Sequence, residues 1–149
     1  MLGHELSGRV LTDLLQMLVH LHGNILNVSD LSRSLGVTQP TVNRYLDLLM
    51  GSFVIHRLTP YSVNVSKRLV KAPKIYIRDS GVLHQLSQTT IYNALLGHPI
   101  VGASWEGYVI EQIRRVVGND WSFYYYRTHA GAEIDLLLGP ASGKINNQR

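Results

Sequence analysis

Between Val28 and Tyr45 the chain carries a pattern that suits two helices crossing at a tight turn. Leu31, Leu35, Val37, Val42 and Tyr45 fall at inward-facing positions, Ser32 supplies a small residue where the helices cross, and Gly36 stands in the turn. The turn residue takes a left-handed backbone that a Cβ resists and glycine adopts freely. The helix ends carry their own signals. The first helix can begin after Ser29 and close at Gly36. The second follows Thr38 as N-cap, with Pro40 in the first turn where a missing amide costs nothing, and runs to Met50 before Gly51.

On either side the pattern extends into a larger unit. Leu6, Val10, Leu11, Leu14, Leu15, Leu18, Val19 and Leu21 recur at three and four, which predicts an amphipathic helix over 6–21 stopped by Gly23-Asn24. Phe53-Val54-Ile55 and Tyr61 to Val65 read as two short strands around Thr59-Pro60. Three helices followed by a hairpin is the order of a winged helix-turn-helix. Its second helix would turn Gln39, Thr41, Asn43, Arg44 and Asp47 away from the core. Gln, Asn and Arg pair with base edges in a major groove, whereas Asp47 repels phosphate and favours a protein-docking face.

Charge is unevenly spread. Between Leu48 and Arg78 there are six basic residues, Arg57, Lys67, Arg68, Lys71, Lys74 and Arg78, and no acid. Lys67, Arg68 and Lys71 on the expected wing suit a phosphate backbone; the same pattern also suits a solvated edge strand guarded by lysines. Without cysteine the chain forms no disulfide, thiolate zinc site or cysteine nucleophile. No apolar run is long enough to span a bilayer, and Met1 to Leu6 shows no secretory pattern, so a cytoplasmic protein without membrane contact is expected.

Beyond Ala72-Pro73 the second half begins with a strand over 74–78, and Asp79-Ser80-Gly81 reads as a turn or helix cap. After Gly97-His98-Pro99, Ala103 to Val117 reads as an amphipathic helix with Val109, Ile110, Ile113, Val116 and Val117 as its apolar set. Phe123 to Arg127 and Glu133 to Leu138 read as strands joined through His129-Ala130-Gly131. Alternation puts Glu133 and Asp135 on one face, with Ile134, Leu136 and Leu138 on the other. Two like charges so close need relief. Mg²⁺ would supply it, with Glu106 as a third carboxylate from the preceding helix, but the spacing favours a salt bridge to Arg127 across the hairpin. The seven histidines lack the i, i+4 spacing of a helical zinc pair and read as surface or capping residues. At least one of Tyr124, Tyr125 and Tyr126 is expected in the core.

Three strings together carry a family resemblance. Leu58-Thr59-Pro60-Tyr61 is followed by Lys71-Ala72-Pro73-Lys74-Ile75-Tyr76-Ile77-Arg78-Asp79-Ser80-Gly81-Val82-Leu83, then by 102–109 (Gly-Ala-Ser-Trp-Glu-Gly-Tyr-Val), then by Tyr126-Arg127-Thr128 with 131–136 (Gly-Ala-Glu-Ile-Asp-Leu). Over Leu6 to Leu138 this resembles the C-terminal region, domain of unknown function 4143, of prokaryotic AAA-type ATPases. The resemblance implies a winged helix joined to a fold similar to the PD-(D/E)XK nucleases. It also implies an ATPase domain ahead of this region, with Glu106 as the helix glutamate and Asp135 as the metal-binding aspartate beside Glu133. The family's following Glu-x-Lys element has no counterpart: Lys144 stands in Gly143-Lys144-Ile145 with no acid two residues before it. A phosphate loop is also missing, so neither ATP binding nor a complete nuclease centre is expected.

These readings combine into an α+β chain: a winged helix-turn-helix over 1–76, a partial nuclease-like α/β unit over 77–138 and a frayed polar tail over 139–149. The expected function is DNA contact through Gln39, Thr41, Asn43, Arg44, Lys67, Arg68 and Lys71, beside an inactive or incomplete nuclease-like unit. Glu106, Glu133 and Asp135 are its candidate catalytic residues, and Glu106 and Asp135 its candidate Mg²⁺ ligands. The alternatives are a Mg²⁺-dependent nuclease and a protein-docking or dimerisation module. If no strand follows Leu138, the last strand is an open apolar edge that invites a homodimer.

Overall fold

Short polar side chains set where the first helices start. In the computed structural model, which describes residues 7–61 and 71–141, α1 spans Gly8–His20, α2 Val28–Leu35 and α3 Gln39–Gly51. Asn27 accepts from the Ser29 and Asp30 amides at the head of α2, and Thr38 accepts from Thr41 at the head of α3. Gly36 closes α2 at φ +66, the left-handed conformation expected of it. Leu14 and Leu18 of α1, Leu31 of α2, and Val42, Tyr45, Leu46 and Leu49 of α3 then pack into one buried cluster.

That cluster is floored by a sheet. Strand β1 (Ile55–Pro60) pairs antiparallel with β2 (Lys74–Ile77), Ile55 opposite Ile77 and Leu58 opposite Lys74. Alternation sends Ile55, Ile75 and Ile77 toward the three helices, while Leu58 and Tyr76 enter a second cluster on the opposite face. The outer edge of β2 is covered by 22–26: the Gly23 amide donates to Ile75 O, Ile75 N to Asn24 O and Leu26 N to Pro73 O.

Thr59-Pro60, expected as the break between two strands, belongs instead to β1. Pro60 is its last residue, where a missing amide removes no interior ladder bond. The partner of β1 is β2; of the strand expected over 61–65, only Tyr61 is described, outside any strand, and 62–65 lie outside the described residues. On its other side β1 pairs in parallel with β3 (Trp121–Arg127), through Thr59 with Tyr124 and Pro60 with Tyr125. Strand β4 (Glu133–Pro140) pairs antiparallel with β3, giving the order β2-β1-β3-β4. The boundary expected between Tyr76 and Ile77 thus falls inside β2. The start of the expected tail is strand, with Gly139 and Pro140 opposite Ser122 and Trp121.

The connection from β2 to β3 contains α4 (Ser80–Leu86), capped by Asp79, then α5 (Tyr92–Leu96), which periodicity did not predict, and α6 (Val101–Val117). Ile110 of α6 joins Leu58, Tyr76, Phe123 and Tyr125 in the second cluster. The molecule is thus α+β, with six α-helices and one mixed sheet among the described residues. No helix of these residues is long and apolar enough to cross a membrane.

Candidate functional site

Packing decides which face of α3 is left to solvent. Val42, Tyr45, Leu46 and Leu49 are buried, and Gln39, Asn43, Arg44 and Asp47 are consequently exposed on the other side. Thr41 is half-buried, its hydroxyl 2.9 Å from that of Thr38. Asp47 lies 3.4 Å from Arg57 of β1, so its charge is paired. Lys71 is exposed, and Lys67 and Arg68 lie outside the described residues.

The remaining basic residues of 48–78 do not form one solvated surface. Their acidic partners come from the second half of the chain, which local sequence could not reveal. Lys74 is 3% exposed, and its ammonium lies 2.6 Å from Glu133, 3.3 Å from Glu106 and 3.3 Å from Asp135. Three elements thus bring the three expected acids together around one lysine: β2 supplies the lysine, α6 Glu106, and β4 the other two. Arg127 also pairs with Glu133 at 3.7 Å, so the hairpin salt bridge forms, but Lys74 is nearer.

Tyr76 completes the cluster by donating its hydroxyl to Glu106, and the Lys74 ammonium stands 5.5 Å from the centre of the Tyr125 ring. Burial on its own lowers the Lys74 pKa, but the bond to Glu133 and the charges of Glu106 and Glu133 outweigh it, so the ammonium is held above its usual range. The Tyr76 hydroxyl is pushed up by burial and then by Glu106, and stays protonated. Where a divalent ion would have to sit, an ammonium already stands. With that ammonium within 3.3 Å of Glu106, Glu133 and Asp135, the residues as placed do not fit Mg²⁺, and among the described residues no group of three or more His, Asp or Glu is spaced to hold a metal ion.

A register shift in β4 shapes this cluster. Tyr124 is opposite Leu137 and Tyr126 opposite Ile134, so three steps of β4 face two of β3. The single apolar face expected for Ile134, Leu136 and Leu138 is therefore divided. Leu136 packs against the cluster containing Tyr125, while Ile134 is 48% and Leu138 39% exposed.

A second polar network escaped the periodicity of α6. Ser104, Gly107, Ile110 and Glu111 are its buried positions, whereas Val116, expected in the core, is 86% exposed. Glu111 accepts two bonds from Arg78, at 3.1 and 3.0 Å, and lies 3.7 Å from Arg114. Arg114 in turn bonds His56 at 2.6 Å and covers the Phe123 ring. The spacing of 104, 107 and 111 is a helical face; it was hidden because its residues are small or charged.

Two histidines expected at the surface are structural. The His22 ring accepts from the Ile77 amide through Nδ1 at 3.0 Å, which leaves Nε2–H to donate to Ala103 O at 3.1 Å. Burial first, with His84 adding to it, lowers its pKa to about 4 against the opposing bond to Ala103. His56 is lowered to about 3 by burial, then by Arg114 and Arg78. Two glycines make room for this junction. Gly23, at φ +76, would place a Cβ 2.8 Å from Ala103 Cβ, and Gly107 would place one 2.9 Å from His22 Nε2.

Comparison with known proteins divides the chain in two. The family model described as Domain of unknown function (DUF8612) matches residues 4–92, and that described as Domain of unknown function (DUF4143) matches residues 101–147. The second resemblance is therefore narrower than the span from Leu6 to Leu138 expected for it. Uncharacterised proteins of Mycobacterium bovis and Mycobacterium tuberculosis are each 45% identical over 122 residues, 82% of this chain and 27% of theirs. The chain thus spans about a quarter of the length of these relatives. No solved structure matches it.

Proposed function

The chain belongs to the family described as Domain of unknown function (DUF8612), and from that premise we propose that it contacts duplex DNA, with α3 as the reading helix of a winged-helix-like unit. The observation that carries this reading is the solvent face of α3. Gln39, Asn43 and Arg44 are side chains that can bond base edges, and Asp47 beside them stands 3.4 Å from Arg57. Lys67, Arg68 and Lys71 supply phosphate contact from the adjoining segment. If an ATPase domain precedes this region, as the resemblance implies, it would be the element that acts on, or is positioned by, the bound DNA.

A labelled random duplex titrated at about 50 and about 200 mM salt tests the reading, because each neutralised phosphate adds to the salt dependence. Arg44→Ala is expected to weaken binding by about 1–3 kcal/mol, roughly 5- to 150-fold, if it meets a base edge. A Lys67/Arg68 double alanine variant is expected to flatten the salt slope. Absence of binding at the lower salt overturns the reading in favour of a protein-docking face.

The carboxylate cluster supports a second, narrower reading. Glu106, Glu133 and Asp135 converge as the acids of a nuclease-like centre would, yet Lys74 occupies the space between them. We read the unit as nuclease-like in layout and closed by its own cation. Supercoiled plasmid incubated with the chain and Mg²⁺ or Mn²⁺ is expected to stay intact; nicking that disappears in Asp135→Ala would restore the enzymatic reading.

A further inference from the structure

A cavity of about 570 Å³ opens where the two matched halves of the chain meet. Its walls come from the end of α1 and the segment after it (16–24), the end of α4 (86–88) and the entry to α6 (98–103). Small-molecule sites occupy about 300–1,000 Å³ and favour such junctions. The back of the cavity is apolar: Val19 is buried, and Leu86 and Ile100 pack against the same cluster. Its mouth is polar, because the exposed Gln16, Asn24 and Gln88 set three carboxamides around it. No lysine, arginine, aspartate or glutamate is among the described residues that line it, and His22 is held neutral. An ion entering it would lose water and meet no fixed counter-charge, so the cavity selects against charged groups.

Much of the bonding capacity of this lining is unused. Among the described residues the side chains of Gln16 and Gln88 make no hydrogen bond. Asn24 gives an N–H to His22 O at 3.3 Å, which leaves its Oδ1 to accept, and His98 accepts the Ile100 amide at Nδ1 at 3.2 Å, which leaves Nε2–H to donate. Gln88 also stands where glycine is the usual residue. The Thr89 amide donates to His84 O at 2.9 Å and the Gln88 amide to Gln85 O at 3.2 Å, so α4 ends in a left-handed cap with Gln88 at φ +58. The side chain kept there against that strain lines the cavity. We infer that this cavity binds a small, uncharged, planar molecule with a polar edge, the chemistry of a nucleobase. A nucleobase offers apolar faces to Val19, Leu86 and Ile100, and an edge on which donor and acceptor stand side by side. A carboxamide presents the matching pair, the way Asn and Gln bond adenine. A free nucleoside and an unstacked base of a nucleic-acid strand share this chemistry.

Isothermal titration of the chain with adenosine, and with ribose as the control that lacks the base, reads the site without involving α3. Saturable heat is expected from adenosine and none from ribose. Gln16→Ala and Gln88→Gly are each expected to weaken adenosine binding by about 2- to 10-fold, the loss of one hydrogen bond. Gln88→Gly carries a second readout, because glycine relieves the left-handed backbone: its melting temperature is expected to be unchanged or higher while affinity falls, which a folding defect would not produce. The source of the base is separated by titrating a single-stranded deoxyadenosine oligomer against an abasic strand of the same length, in the Arg44→Ala background. An oligomer that binds where adenosine does not, with the same loss in both glutamine variants, assigns the site to a base within a strand. Absence of binding by both adenosine and the oligomer overturns the proposal, as does binding that ribose matches or that both glutamine variants leave unchanged.

Discussion

Lys74→Met is expected to destabilise the chain by about 3 kcal/mol, the lower end of the cost of removing one partner from a buried ion pair. The lower end applies because Glu106 and Glu133 keep a quarter or more of their side-chain surface and Asp135 is 63% exposed, so water relieves part of the repulsion. For a chain of this size the loss corresponds to a melting temperature lower by about 6–12 °C. Adding Glu106→Gln and Glu133→Gln to Lys74→Met should recover much of it, because the cost comes from leaving carboxylates without their cation. Thermal melts of the single and triple variants check this. A Lys74→Met chain as stable as the parent would mean that solvent, and not the lysine, balances the three acids.

Mild acid should have an effect of similar size by a different route. His22 and His56 are held neutral, at about 4 and about 3 against an ordinary 6.5. Between those values and 6.5 the unfolded chain takes up protons that the folded chain refuses. The stability these rings contribute is therefore complete above pH 6.5 and lost as pH falls through the window below it. Linkage gives about 1.4 kcal/mol per pH unit for each ring. Urea unfolding at pH 7, 5.5 and 4.5 should show a steeply falling midpoint, with a shallower fall in His56→Gln. Burial explains the refusal at His22 first, and the Ile77 amide points at Nδ1, where a proton would meet a donor instead of an acceptor. A midpoint that stays level across this range would mean that both rings take up protons freely in the fold.

Parts of this architecture were legible from single residues because they are local. Gly36, Thr38 and Pro40 mark the turn and the head of α3, and each acts on neighbours within a few positions. The meeting of Glu106, Glu133 and Asp135 was legible as a possibility, since strand alternation puts the last two together. What sequence could not show was the cation. Lys74 reads as one of six basic residues awaiting an anionic partner, and only the fold, which brings its ammonium to Glu106 of α6 and to Glu133 and Asp135 of β4, shows that it is already paired. The histidines were misread for the same reason. Nothing near His22 marks it as buried, or His56 as half-buried; their partners at Ala103 and Arg114 are remote in sequence.

Strand alternation itself failed at one place, and the reason is geometric. A period of two assumes one residue per step on both strands, and the shift between Tyr124 and Tyr126 breaks that equality. Leu136 is then free to pack inward on the same side as the acids. Without the extra residue, either the leucine would lose the aromatic cluster or the carboxylates would lose the lysine.

The mixed sheet also constrains how such a chain can be recombined. One family model ends at residue 92 and the other begins at 101, yet the sheet takes β1 and β2 from the first and β3 and β4 from the second. Where domains are joined like beads, a gene can exchange one for another at the linker and keep both. Here an exchange at 92–101 would cut no strand, but the incoming half would have to present its own backbone to Thr59 and Pro60 and its own acids to Lys74. Inheritance of the two halves as a pair, with compensating changes across the β1–β3 seam, is the pattern this geometry would impose on descent.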